Sequence, residues 1–187
     1  KLSSDKPGDK LIKIGTSFTS IENARKNLQA EIPSWNFEAV HNQSSSIWNE
    51  TLGQIAVKGG NEEDKVKFYS ALYNAHFLPR TFSDIDGSYP KFDGGEKTMK
   101  MEQGTYYCDF SQWDTYRAVH PLFSILTPSR NGDMAHSLVL KGQQGGWLPI
   151  FPSWNSYTAA MIGDHCIAMI GDAIVKDTPG FDYEEAY

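Results

Sequence analysis

The segment FSQWDTYRAVHPLFSILTPSRNGDMAHSLVLKGQQGG (110–146) decides the fold class. Ser111 and Asp114 form a typical capping pair, and they predict a helix over 112–126. The dipeptide Thr-Pro at 127–128 then opens a second helix, which runs to about residue 143 before two glycines end it. Two helices joined by so short a connection form an antiparallel hairpin, which indicates a mainly α protein.

Further helices flank this hairpin on both sides. Each begins at a side chain that caps helices or carries apolar residues at helical spacing. They are predicted over 20–30, 44–57, 61–78 and 163–176, and a last one begins within 181–187.

Three stretches lack a helical period. Residues 11–18 suit a strand, because Leu11, Ile12 and Ile14 are apolar and Gly15 marks an end or a bulge. Residues 80–110 predict a long loop with a short hairpin, and residues 147–157 an aromatic, proline-rich loop. Helix hairpins joined by alternately short and long loops suit an (α/α) toroid or a helical repeat, preceded by the end of a β-domain.

The composition excludes two classes of partner. The formal net charge is −6 and the lysines and arginines form no cluster, so nucleic acid is excluded. No apolar run is long enough to span a membrane, so a membrane is not expected as a partner. No signal peptide is visible, and we expect the chain to be an interior segment of a longer protein. Cys108 and Cys166 allow either one disulfide or two buried thiols.

The motif WDTYR (113–117) is the main candidate for sugar binding. Trp113 offers a ring face for the C–H face of a pyranose, and Asp114 an acceptor for two adjacent hydroxyls. The alternative is structural: Asp114 caps the helix and pairs with Arg117 one turn later. The residues alone leave both interpretations open.

Two further motifs carry carboxylates. SDIDG (83–87) resembles the start of a calcium loop, but the expected acidic ligand falls on Gly95, so a solvated turn is favoured. In GDH (163–165), Asp164 reads as a helix cap and His165 as a surface residue. Glycosidases need two carboxylates, roughly 5 Å apart for retention or about 6.5–9.5 Å for inversion, and no pair is marked here.

Five stretches together are similar to glycoside hydrolase family 92, the calcium-dependent exo-acting α-mannosidases. They occur in the family's order and cover nearly all of residues 11–187. The stretches are IGTSFTSIENARKNLQAEIPSWNFE (14–38), FYSALYNAHFLPRTFSDIDGSY (68–89), FSQWDTYRAVHPLFSILTPSRNGDMAHSL (110–138), GGWLPIFPSWNSYTAAMIGDHCIAMIGDA (145–173) and GFDYEEAY (180–187).

The resemblance implies a mainly α fold, part of an (α/α)6 toroid preceded by the last strand of an N-terminal β-sandwich domain. Residues 1–19 would be a linker and that strand, 20–43 a linker helix, and 44–187 the first part of the toroid, truncated at its C-terminus. By motif, the resemblance places seven side chains at or near the mannose subsite, with Arg117 orienting the carboxylate of its neighbour. These are Trp113, Asp114, Arg117, Asp164, His165, Asp84 and Asp86.

The resemblance also implies what this chain lacks. The family's general acid lies in a GNEPSHH-like motif and its general base in a GDDxGxMSAWY-like motif, and neither string occurs here. We therefore expect no catalytic residue and no complete calcium site in this chain, and no turnover by it alone. The implied function of the full-length protein is calcium-dependent, inverting removal of terminal α-linked mannose from glycans, in the periplasm or outside a bacterial cell.

Two alternatives stay open at this point. One is a carbohydrate-binding helical module without catalysis. The other is a different (α/α) toroid glycosidase or a polysaccharide lyase. In every case the rest of the same polypeptide is expected to pack against this segment, because half a toroid leaves inner helix faces uncovered.

Overall fold

The computed structural model describes residues 10–187; the predicted polar tail 1–9 lies outside them. The described residues form eight helices and four short strands. The helices are α1 (Ile21–Glu31), α2 (Phe37–Leu52), α3 (Glu62–Ala75), α4 (Gln112–Thr115), α5 (Val119–Leu126), α6 (Pro128–Gly145), α7 (His165–Val175) and α8 (Tyr183–Ala186). The strands are β1 (Arg80–Thr81), β2 (Ser88–Pro90), β3 (Thr98–Lys100) and β4 (Tyr107–Cys108).

The centre of the molecule is the α5–α6 hairpin with α7 packed against both helices. Pro128 is the first residue of α6, and Gly146, with φ 92°, ends it in the left-handed conformation, as the sequence predicts. The main hydrophobic core lies between these helices and the segment leading into α4. Its buried residues are Tyr107, Phe110, Phe123, Met134, Leu138, Val139, Cys166, Met169 and Ile170.

The N-terminal helices begin at side-chain caps. Ser20 accepts a hydrogen bond from the backbone of Asn23, and Asn61 accepts one from Asp64, which confirms the predicted starts of α1 and α3. The prediction for α2 over 44–57 was wrong at both ends. Asn36 caps this helix eight residues earlier by accepting from the backbone of Ala39, and the chain leaves the helix at Gly53.

The predicted strand over 11–18 does not form. A strand needs a neighbour to pair its backbone groups, and none of the described segments pairs with these residues. The segment is instead attached through side chains: the ring of Phe18 stacks on Phe82 with centroids 3.8 Å apart.

The long segment 80–110 contains two short antiparallel ladders, one more than the sequence predicts. Strand β1 pairs with β4, and β2 pairs with β3. They enclose a second cluster of buried residues, which contains Phe82, Tyr89, Met101, Tyr106 and Cys108. Both cysteines are buried and free, so the disulfide alternative does not hold in the described chain.

The single helix predicted over 112–126 is two helices, α4 and α5. Pro121 explains the break. A continuous helix would require its missing N–H to bond the carbonyl of Arg117, and its ring would clash with that carbonyl. The chain therefore turns at residues 116–118, and Pro121 falls in the first turn of α5, where a proline is tolerated.

Candidate sugar-binding site

Trp113 and Asp114 are exposed and lie on the single turn of α4. The Trp113 side chain is 40 % exposed. The carboxylate of Asp114 accepts a hydrogen bond from the Ser111 hydroxyl at 3.2 Å. Ser111 makes no side-chain bond to the helix backbone, so the predicted capping pair is instead a direct side-chain contact. Asp114 is thereby oriented while its remaining lone pairs face solvent, where a sugar hydroxyl could donate.

Arg117 does not pair with Asp114, contrary to the prediction. Its guanidinium donates to the carbonyl of Trp113 at 3.3 Å and lies over the Tyr116 ring, 5.0 Å from the centroid. Among residues 10–187, the group that orients Asp114 is Ser111.

Three aromatic side chains bring the motifs WDTYR and GDH into contact. His165 stacks on Tyr116 with centroids 4.6 Å apart, and it makes a T-shaped contact with Trp113 at a centroid distance of 5.0 Å. The surface interpretation of His165 was therefore wrong: it is a partly buried packing partner of the candidate stacking residue. Sequence reasoning missed Tyr116, although its position three residues after Trp113 places both on one side of a helical turn.

The start of α7 fixes His165. Gly163 adopts φ 94°, and a side chain there would contact the imidazole of His165. Asp164 is the N-cap residue of α7, as predicted, but its exposed side chain makes no capping bond. Its carboxylate therefore stays available beside the three rings.

Asp84 and Asp86 belong to a different environment. The Asp84 carboxylate accepts hydrogen bonds from Ser17, Thr19, Asn23 and Asn27, and the Asp86 carboxylate pairs with Lys26 at 3.3 Å. Burial alone would raise the pKa of Asp84, but these four donors outweigh it and hold the pKa below its ordinary value. The two acids attach α1 to the loop before β2, and their contacts do not include Trp113, Asp114 or His165.

A buried lysine supports the segment that leads into α4. Lys141 of α6 is fully buried, donates to the carbonyl of Tyr107 at 2.7 Å and lies 3.6 Å from the centroid of Tyr106. Burial lowers its pKa to about 7. Lys141 therefore holds β4 against the helical layer a few residues before Trp113.

The described residues do not supply a metal site by themselves. No group of three or more His, Cys, Asp or Glu side chains within 10–187 has the arrangement to hold a metal ion. The Asp84 carboxylate is engaged by hydroxyl and amide donors, three on Oδ2 and one on Oδ1. No step of catalysis is assigned to a metal on these residues.

Comparisons with known proteins identify the family of this chain. Residues 23–187 match the model of the glycosyl hydrolase family 92 catalytic domain. The chain belongs to glycosyl hydrolase family 92. It is also 33 % identical over 190 residues to a protein of Arthroderma benhamiae described as an uncharacterized secreted glycosidase, covering 99 % of this chain and 20 % of the relative.

Solved structures of the family share the fold. A family 92 α-mannosidase of Bacteroides thetaiotaomicron, solved with mannoimidazole, superposes with a TM-score of 0.84 at 34 % identity over 91 % of this chain and 22 % of its own. An inverting family 92 mannosidase of the same organism superposes with a TM-score of 0.82 at 30 % identity, over 91 % of this chain and 23 % of its own.

These matches show that the chain is part of the (α/α)6 toroid of the family 92 catalytic domain. The chain spans about a fifth of the length of the relatives that it matches. None of the helices within 10–187 is both long and apolar enough to cross a membrane.

Proposed function

We propose that the full-length protein is an inverting exo-α-mannosidase and that this chain forms one wall of its mannose subsite. The observation that carries the proposal is the junction of Trp113, Tyr116 and His165, with the carboxylate of Asp114 oriented beside it. The mannosidases among the similar structures support the substrate class. The relative described as secreted supports a secreted location.

The roles of these residues follow from their chemistry. The exposed indole of Trp113 packs on the C–H face of the sugar, while His165, itself stacked on Tyr116, makes a T-shaped contact with the indole and restrains it. Asp114 accepts hydrogen bonds from two adjacent hydroxyls, which fixes the orientation of the ring. The general acid and the general base, about 6.5–9.5 Å apart with a water between them, are proposed to come from the rest of the polypeptide.

Calcium is proposed as a cofactor of the full-length enzyme, with ligands outside this chain. When bound, it would contact sugar hydroxyls and help distort the ring towards the transition state. Treatment of the full-length protein with a chelator should abolish the release of mannose, and added calcium should restore it. A rate that chelation leaves unchanged would contradict the role of the metal.

The test of the proposal is kinetic. In the full-length enzyme, Asp114→Asn keeps the shape of the side chain but removes a charged acceptor, so kcat/KM for an α-mannoside should fall by about 100-fold or more, or about 2.7 kcal/mol. The matched control is Asp172→Asn, which changes a carboxylate paired with Lys176 on the surface of α7 and should leave the rate within about twofold. A full-length protein that binds mannosides without cleaving them would contradict the proposed enzymatic activity. A near-normal rate for Asp114→Asn would mean that Asp114 has a structural role only.

A further inference from the structure

The aromatic loop carries a turn whose residues conflict with its conformation. Ser153 and Ser156 form an isolated antiparallel bridge, and the two residues between them, Trp154 and Asn155, have φ values of 52° and 58°. Two consecutive positive φ angles in a two-residue hairpin define a type I′ turn, which strongly prefers Asn, Asp and Gly. Asn155 fits this preference, but Trp154 is a bulky residue in a left-handed conformation.

Several contacts hold the strained turn in place. The side chain of Asn155 accepts from the Tyr106 hydroxyl at 2.8 Å and donates to the carbonyl of Pro90 at 2.7 Å. The backbone N–H of Trp154 donates to the carboxylate of Asp109 at 2.8 Å, and Asp109 itself has a φ of 62°. Strained residues that are fixed from several sides in this way cluster at functional sites.

The turn presents the indole to solvent instead of burying it. The Trp154 side chain is 71 % exposed, so packing within the described chain does not account for a tryptophan at this position. The guanidinium of Arg80 lies over the ring, 5.5 Å from its centroid, and pairs with Asp109 at 2.6 Å. One face of the indole is thus covered by a neutralised cation, and the other face is open.

The indole of Trp154 is connected to the proposed mannose subsite through the segment that precedes α4. Asp109, which bonds the backbone of Trp154, precedes Trp113 by four residues, and the backbone of Phe110 donates to Pro152 at 3.2 Å. The turn and α4 are therefore held together by the same segment. Trp154 is thus a second exposed aromatic residue, attached to the segment that leads into α4 and Trp113.

We propose that Trp154 is a stacking platform for the sugar on the leaving-group side of the scissile bond, and this inference rests on the proposed function. The ligand is a neutral pyranose, because the charge of Arg80 is already balanced by Asp109 and no free cation of this cluster remains for an acidic sugar. Trp154 thus determines specificity for the glycan beyond the terminal mannose and takes no part in bond cleavage.

The experiment compares two substrates of the full-length enzyme. Trp154→Asn removes the ring and places a residue that type I′ turns favour, so the loop keeps its conformation. We expect kcat/KM for an α-linked mannobiose to fall at least tenfold, and kcat/KM for α-mannosyl fluoride, which has no leaving sugar, to stay within twofold. Trp154→Phe should retain part of the preference. The control Trp35→Asn removes another exposed tryptophan, next to α2, and should change neither value.

The outcomes separate the two proposals. A wild-type enzyme that cleaves neither substrate contradicts the proposed function. A wild-type enzyme that cleaves both, with Trp154→Asn keeping its ratio of kcat/KM values, contradicts the platform alone. If Trp154→Asn slows both substrates equally and lowers the melting temperature, the ring packs against the remainder of the polypeptide, and the platform is likewise refuted.

Discussion

His120 is a buried histidine that couples folding to pH. Only 2 % of it is exposed, and its Nδ1–H donates to the side-chain oxygen of Asn131 at 3.1 Å, because the amide nitrogen of Asn131 donates to Ser124. Ser124 in turn donates to the carbonyl of His120, which closes a hydrogen-bonded ring between α5 and α6. His120 is thus both a packed side chain and part of a polar network.

This environment predicts a loss of stability in acid. Burial lowers the pKa of His120 from 6.5 to about 4, against the opposing effect of the Asn131 bond. As the pH falls from about 6.5 to about 4, the unfolded chain takes up a proton that the folded chain does not, so stability declines, by at most about 3 kcal/mol. In the full-length protein, the melting temperature of His120→Asn should depend less on pH over this window than that of the wild type. The exposed His41→Asn is the control, and equal pH dependence in all three proteins would contradict the prediction.

At the scale of the element, α6 shows why a glycine can be required inside a helix. Glycine in a helix interior costs about 0.5–1 kcal/mol relative to alanine. At Gly132, however, a side-chain carbon would collide with the carbonyl oxygen of Pro179 in the segment before α8. The close approach of that segment, and with it the position of α8, depends on the missing side chain.

We therefore expect Gly132→Ala to destabilise the full-length protein in spite of its better helix propensity. The clash should cost about 1–3 kcal/mol, as overpacking of a core does, and should lower the midpoint of denaturant unfolding. Ser129→Ala, at an exposed position of the same helix, should change stability by no more than about 0.5 kcal/mol. A gain in stability for Gly132→Ala would mean that the segment at Pro179 moves away at little cost.

The elements also show how far the sequence predicts this fold. Helices whose first turn contains a local cap, such as α1 and α3, begin where the sequence indicates, because capping is a contact between near neighbours. Pro121 indicates the break between α4 and α5, but a single helix was predicted over 112–126. The strand predicted over 11–18 and the β1–β4 pairing depend on partners distant in the sequence, which local patterns do not contain.

The candidate site was predictable to the same extent: groups within one local motif were predicted, and contacts between distant segments were not. The motif WDTYR predicts Trp113 and Asp114 as the aromatic residue and the carboxylate of the site, and both residues are exposed on α4. The contact of Trp113 with His165 joins two distant segments and appears only once α4 and α7 are packed. The turn at Trp154 was not predictable, because its residues contradict the local preference and tertiary contacts override it.

On the scale of the whole molecule, apolar surface is distributed over four of the helices. Large apolar side chains are exposed on α2, α3, α5 and α7, among them Ile47, Val66, Ile125, Ile167 and Val175. Surfaces of this kind on helical repeats are covered by neighbouring repeats. Because the chain spans about a fifth of its relatives, we propose that the remaining toroid helices cover these residues, and that experiments on stability belong to the full-length protein.

The attachment of the N-terminal segment to the helical body gives the last prediction. Asp84 is 7 % exposed and accepts from four side chains within 17–27, so its removal leaves several donors unsatisfied at a cost of about 2–4 kcal/mol. In the full-length enzyme, Asp84→Ala should increase hydrogen exchange over 16–31 while α5 and α6 exchange as in the wild type. Asp86→Ala loses a partly exposed pair with Lys26 and a hydrogen bond from the backbone of Ser88, and should have a smaller effect. If Asp84 instead bound the substrate, as its motif indicates, Asp84→Ala would impair the cleavage of mannosides with no change in exchange over α1, and that result would reverse the structural assignment.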